Sequence, residues 1–213
     1  MSEKLNHNYS DSEEKLNIWS HAFGLLLSLI AFPFLIIKAL QFSGFLKPLS
    51  FIIYGLSLII LYAASTFYHA AKNAIKRRRL NIFDHSAIYV LIAGSYTPYC
   101  LVALDSTLGN YMVIFVWLFA LVGIILKLFF TGKFNIISTA MYLLMGWQVL
   151  FFIKPLMENL SSYSLNLLFL GGVFYSIGAI LYVIKKLSYN HAIFHLFVLL
   201  GSISHFLSVY NIL

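Results

Sequence analysis

An all-α integral membrane bundle of seven transmembrane helices is the fold class this sequence predicts, on three observations. Of its 213 residues, 61% are apolar and only 10% charged, whereas soluble domains carry about 25% charged residues. Seven long apolar runs can be drawn, each near the roughly 20 residues a helix needs to cross a bilayer. The runs are continuous, which excludes the short alternating strands of a membrane barrel.

The first run covers residues 18–40. It is too long for a signal-peptide core and is expected to be retained as the first helix, with Trp19 anchoring at the headgroup level. The polar segment before it, residues 1–17, is of mixed charge and carries Glu13 and Glu14. The other runs cover 50–69, 84–102, 111–130, 136–153, 165–184 and 191–210. Together they occupy most of the chain and leave no room for a soluble domain. The chain therefore reads as a polar N-terminal segment, 1–17, and one seven-helix membrane domain, 18–213. The connections are short, with no internal repeat and no low-complexity tract. Pro98, in "GSYTPYC", removes a backbone donor and is expected to kink the third helix near its outer end. Cys100 is the sole cysteine, so an intrachain disulfide and a Cys-type metal site are both excluded; it reads as a small buried residue.

Lys and Arg total 14 against seven acids. Such a balance can indicate nucleic acid, but its placement argues otherwise. Lys4 and Lys15 precede the first run, and Lys72, Lys76, Arg77, Arg78 and Arg79 follow the second. Lys127 and Lys133 lie around the fourth connection, and Lys185 and Lys186 in the sixth. These fall on one side of the bundle, and only Lys38, Lys47 and Lys154 fall on the other. Basic connections stay in the cytoplasm, so the N-terminus is expected inside and the C-terminus outside. "KRRR" reads as a topology signal, with contact to anionic headgroups as the alternative. The expected partners are membrane lipids, not nucleic acid.

That topology puts polar residues from distant stretches into one layer. His69, in "STFYHA", closes the second run on the cytoplasmic side. Asp84 and His85 open the third there, and His191 and His195 open the seventh. Residues four apart share a helix face, so "HAIFH" pairs His191 with His195 and "STFYH" pairs Ser65 with His69. One histidine at a membrane-helix end is ordinarily an interfacial or hydrogen-bonding residue. Three imidazoles at one depth are the ligand set of a catalytic zinc, with water in the fourth position, and ionisable groups inside membrane segments are costly and functional by default.

The remaining histidines fit less well. His7 belongs to the polar tail and is expected to be solvated. His21, at the same end of the bundle, is a candidate fourth ligand or a donor to a ligand. His85 points about 100° away from Asp84 on a helix and is not expected to face the same centre. His205 lies ten residues beyond His195, about 15 Å deeper at 1.5 Å per residue, and reads as an interhelical hydrogen-bonding residue. Gly201 with Ser202, and Gly94 with Ser95, would let helices approach closely.

The combination of motifs resembles the hemolysin III family, the bacterial branch of the progestin and adiponectin receptor (PAQR) superfamily. The resemblance spans "EEKLNIWSHAFGLLLS" (where the family commonly has Thr at the position of Ser20), "STFYHA", "FDHSAIYVLIAGSYTPYC", "GWQVLF" and "HAIFHLFVLLGSISHF". It implies seven helices, a cytoplasmic N-terminus and a zinc ion near the cytoplasmic face of the cell membrane. It implies His69, His191 and His195 as the zinc ligands, Asp84 reaching the metal through water, and Ser65 as the serine of the related membrane hydrolases. The long N-terminal region of the animal receptors has no counterpart, so hormone reception is not implied.

Two functions stay open. One is lipid homeostasis through zinc-dependent hydrolysis of a lipid amide or ester, as in alkaline ceramidases, with Asp84 and Ser65 catalytic. The other is a non-enzymatic sensor of membrane fluidity with a structural zinc. The family name adds a third, cytolysis, for which seven long apolar helices with short connections give little support.

Overall fold

Four of the helix starts are set by capping side chains. In the computed structural model, which describes residues 9–132, 134–184 and 186–212, Ser10 accepts from the Glu13 amide and starts α1, Asp11–Ala39. Asn73 accepts from the Lys76 amide and starts α3, Ala74–Pro98, directly after α2, Leu46–Ala70. Asp105 takes the Thr107 and Leu108 amides at the head of α4, Ser106–Phe130. Ser161 does the same for α7, Ser162–Val183, through the Ser164 amide. Each cap satisfies a helix-end donor that would otherwise be orphaned.

The order is completed by α5 (Asn135–Gly146), a 3₁₀ segment (Trp147–Phe152), α6 (Ile153–Asn159) and α8 (Asn190–Tyr210). α5, the 3₁₀ segment and α6 together form one crossing, Ile136–Asn159, so seven spans are long and apolar enough to cross a membrane. No strand occurs among the described residues.

The largest differences from the hydropathy reading are at the starts of two helices. α1 begins at Asp11 and α3 at Ala74, so the end of the polar segment and the basic run Lys76–Arg79 are helical rather than loop. Apolarity marks where lipid begins, whereas caps mark where the helix begins. Pro98 ends the α-helical hydrogen bonding of α3, which continues as a π turn, Tyr99–Ala103. Two other expectations, His7 in the tail and the placement of Lys4, Lys133 and Lys185, lie outside the described residues.

Both Tyr and Phe occur inside and outside the bundle, Phe51 and Phe152 being buried and Tyr111 and Tyr163 exposed. Tyr54, Tyr62, Tyr89, Tyr96 and Tyr99 are buried, while Phe23, Phe34, Phe115, Phe129 and Phe151 are exposed, with Trp19, on the outer surface. Buried hydroxyls need partners. Tyr62 and Tyr175 reach Ser202 at 2.8 and 2.9 Å, and Tyr99 donates to Ser208 at 2.7 Å. The Tyr96 hydroxyl donates to the Gly146 carbonyl and accepts from the Val149 amide. That satisfies the backbone freed where α5 gives way to the 3₁₀ segment, as irregular backbone at membrane depth requires. Cys100 is buried.

The small residues sit where helices touch. Gly201 of α8 faces the Tyr175 ring of α7, and Gly94 of α3 faces Ser57 of α2. His205 donates from Nε2 to the Leu168 carbonyl at 3.1 Å and meets Tyr175 edge-on, the interhelical role expected of it. Because α1, α3 and α8 start and α2 ends at the same face of the bundle, their terminal turns form one polar layer.

Candidate metal centre

His69 lies in the last turn of α2, and His191 and His195 in the first two turns of α8. All three are buried. One nitrogen of each lies within 4.8 Å of the others. His69 Nε2 and His191 Nε2 are 3.1 Å apart, and the His195 ring is centred 5.1 Å from His69 and 4.5 Å from His191. The three histidines expected from separate stretches of chain are therefore brought together.

The first turn of α1 holds the rings. Glu14 Oε2 lies 2.8 Å from His69 Nδ1. With Nδ1–H donating to that carboxylate, the neutral ring keeps its Nε2 lone pair for the centre. The other Glu14 oxygen pairs with the Arg77 guanidinium. Arg77 also donates to the carbonyls of His69 and Ala71 at 3.2 and 3.4 Å and stacks over Tyr68, so it caps the C-terminal end of α2. Glu13 accepts from the His191 amide at 3.4 Å. His195 Nδ1 lies 3.2 Å from Ser20 Oγ, which donates to the Asn17 carbonyl. Tyr9 stacks on His191 with centroids 4.7 Å apart, and burial pushes its phenol far above the usual range, so it stays neutral.

These residues fit a metal ion. Tetrahedral zinc with Zn–N bonds of about 2.05 Å sets its nitrogens about 3.3 Å apart, close to the 3.1 Å between His69 and His191, and the nitrogens of all three lie within 4.8 Å of one another. The Glu14–His69 contact is the carboxylate–histidine arrangement that fixes the tautomer of metal ligands.

Asp84 and Ser65 are both buried at the level of this cluster. Both line a cavity of about 150 Å³ that also takes in His191, His195 and, deeper, His205. His21 is not within the three-histidine group. It stacks on His195 with ring centroids 3.5 Å apart, and neither ring nitrogen has a hydrogen-bond partner among the described residues. His85 lines the cavity wall further along α3.

Sequence reasoning missed Glu13, Glu14, Ser20 and Arg77. The signal was present: Ser10 and Glu13 have capping-box spacing, which extends α1 backward and carries both glutamates to the layer of the histidines. In sequence Arg77 belongs to a run that reads as a topology signal or a headgroup contact, yet its side chain is only 12% exposed.

Comparisons with known proteins agree with this architecture. The family model described as Haemolysin-III related matches residues 9–206. The chain is 45% identical to the Hemolysin-3 homolog of Bacillus subtilis (strain 168), covering 94% of each. It is 43% identical to the Hemolysin-3 of Bacillus cereus, over 92% of this chain and 90% of that protein. A human relative, the Monocyte to macrophage differentiation factor, is 28% identical over 94% of this chain and 84% of its own length; it supports the link to the PAQR superfamily. No solved structure matches significantly. With the family model spanning nearly the whole chain and seven helices able to cross a membrane, this multi-pass protein belongs to the Haemolysin-III related family.

Proposed function

We propose that this protein binds zinc through His69, His191 and His195 and hydrolyses an amide or ester bond of a membrane lipid at the cytoplasmic face of the bacterial cell membrane. One observation carries the reading. Asp84 and Ser65 open into the same largely apolar cavity as two of the three clustered histidines, which puts acid–base groups, a ligand set and room for an acyl chain in one place.

When bound, zinc supplies a Lewis acid and a nucleophile from water at neutral pH. Asp84 accepts the proton of the attacking water and returns it to the departing nitrogen or oxygen as the carbonyl carbon's bond to it breaks. The Ser65 hydroxyl donates to the carbonyl oxygen as charge develops there. Leu61, Ile88, Leu91 and Ile92 line the cavity and hold the chain away from water. The N-inside orientation is supported by the basic residues gathered at the histidine end of the bundle.

The test is fatty-acid release from ceramide and from a lipid ester by purified protein. Zinc-loaded wild type should cleave one of them, and stripping the zinc should abolish turnover. Cleavage at full rate by zinc-free protein contradicts the mechanism.

A second reading also has support. Glu13, Glu14 and Arg77 tie α1, α2, α3 and α8 together around the cluster, as a structural zinc in a non-enzymatic membrane-fluidity sensor would need. Cytolysis, which the names of two relatives suggest for those proteins, draws no support from a particular residue here.

A further inference from the structure

Lys127 is a buried cation that the metal centre does not use. It lies three residues before the end of α4 at Phe130 and is only 3% exposed. Lysines near membrane-helix ends ordinarily snorkel outward to the headgroups. This one turns inward. Its Nζ donates to Ser138 Oγ of α5 at 2.6 Å and sits 5.7 Å from the centroid of the Tyr142 ring. Among the described residues the two ion pairs both belong to Glu14, and Lys127 has no carboxylate within salt-bridge distance.

An ammonium has three donors, and Ser138 takes one. A charge taken from water without a counter-ion is costly, so its retention calls for an anion. The space is available: Lys127, Ser138, Thr139 and His85 line the cavity described above, beside the apolar walls of Ile88, Ile92 and Leu143.

We propose that Lys127 and Ser138 form an anion subsite that takes the phosphate of a net-negative phospholipid, whose acyl chain runs into the apolar cavity. Depth supports the lipid source. Three residues from the end of α4 is about 5 Å at 1.5 Å per residue, the level where headgroup meets acyl chain. A singly charged phosphodiester matches one ammonium. A zwitterionic lipid would bring its own cation against Lys127. The subsite does not depend on the hydrolase reading, because its readout is binding rather than turnover.

The test is native mass spectrometry of the purified full chain, with phosphatidylglycerol and phosphatidylcholine offered in equal amounts. Wild type should retain phosphatidylglycerol in preference by roughly tenfold, the scale of one charge-assisted contact. Lys127→Met should abolish the preference without lowering the thermal midpoint of lipid-free protein, because it removes a buried unpaired charge. Lys127→Arg should keep the preference and Ser138→Ala should weaken it. Should Lys127→Met not fold, the Ser138→Ala and Lys127→Arg pair decides, and an undiminished preference in Ser138→Ala overturns the proposal. So does an equal preference in Lys127→Met and wild type. Displacement of phosphatidylglycerol by millimolar inorganic phosphate would identify free phosphate as the ligand and overturn the lipid assignment.

Discussion

Glu14 Oε2 lies 2.8 Å from His69 Nδ1, joining the first turn of α1 to the last turn of α2 across 55 residues of sequence. Its other oxygen pairs with Arg77 of α3. Glutamate at this position therefore orients a candidate metal ligand without belonging to the ligand set. Glu14→Gln should keep the fold and weaken zinc binding by about 10- to 100-fold, the usual cost of losing such a partner. Competition with a fluorescent chelator measures this directly. Unchanged affinity in Glu14→Gln would reduce the contact to a packing feature.

His191→Ala should lose stoichiometric zinc while the helices remain. Zinc should raise the thermal midpoint of wild type but not of this variant, because a ligand stabilises only the state that binds it. A scan with and without a chelator reads the difference. An equal zinc-dependent shift in both proteins would place the metal elsewhere.

Asp84→Asn separates the two functional readings. The amide is close in size to the carboxylate but cannot take a proton from water. Zinc content should stay at wild-type level, and lipid hydrolysis should fall by at least about 100-fold, the low end of a general base's contribution. If wild type shows no hydrolysis of ceramide or a lipid ester and Asp84→Asn lowers only stability, the structural-zinc reading takes precedence.

The crossings themselves were legible, because a run of about 20 apolar residues has few alternatives. The three histidines were legible for a related reason: helices of fixed rise turn sequence position into depth, and i, i+4 spacing fixes the face. What escaped was polar and short in range. Glu14 and Arg77 lie outside the apolar runs, where hydropathy is silent, and their pairing depends on how α1, α2 and α3 are tilted together. Lys127 read as a charge beside a connection, and only the packing of α5 against α4 shows that it points inward. The break at Gly146–Trp147 likewise has no hydropathy signature and is held by the Tyr96 hydroxyl.

The packing of α7 on α8 gives a stability prediction. A Cβ on Gly201 would come within 2.9 Å of the Tyr175 ring, and that ring is held by its hydroxyl on Ser202. Gly201→Ala should destabilise the protein by about 1–3 kcal/mol, as overpacking does, seen as a lower thermal midpoint. A neutral effect would mean the ring has room to yield.

Orientation can be read with single cysteines, because the native Cys100 is buried and gives little background. Lys47 and Lys72 are both exposed and lie at opposite faces of the bundle. In intact cells, a membrane-impermeant maleimide should label Lys47→Cys and spare Lys72→Cys. The reverse pattern would invert the proposed topology.

Zinc K-edge X-ray absorption on the purified protein tests the central claim most directly. The expected result is one zinc per chain with three imidazole nitrogens at about 2.0–2.1 Å, reduced in number by His69→Ala and by His195→Ala. A shell without imidazole scattering, or one untouched by either substitution, would contradict it.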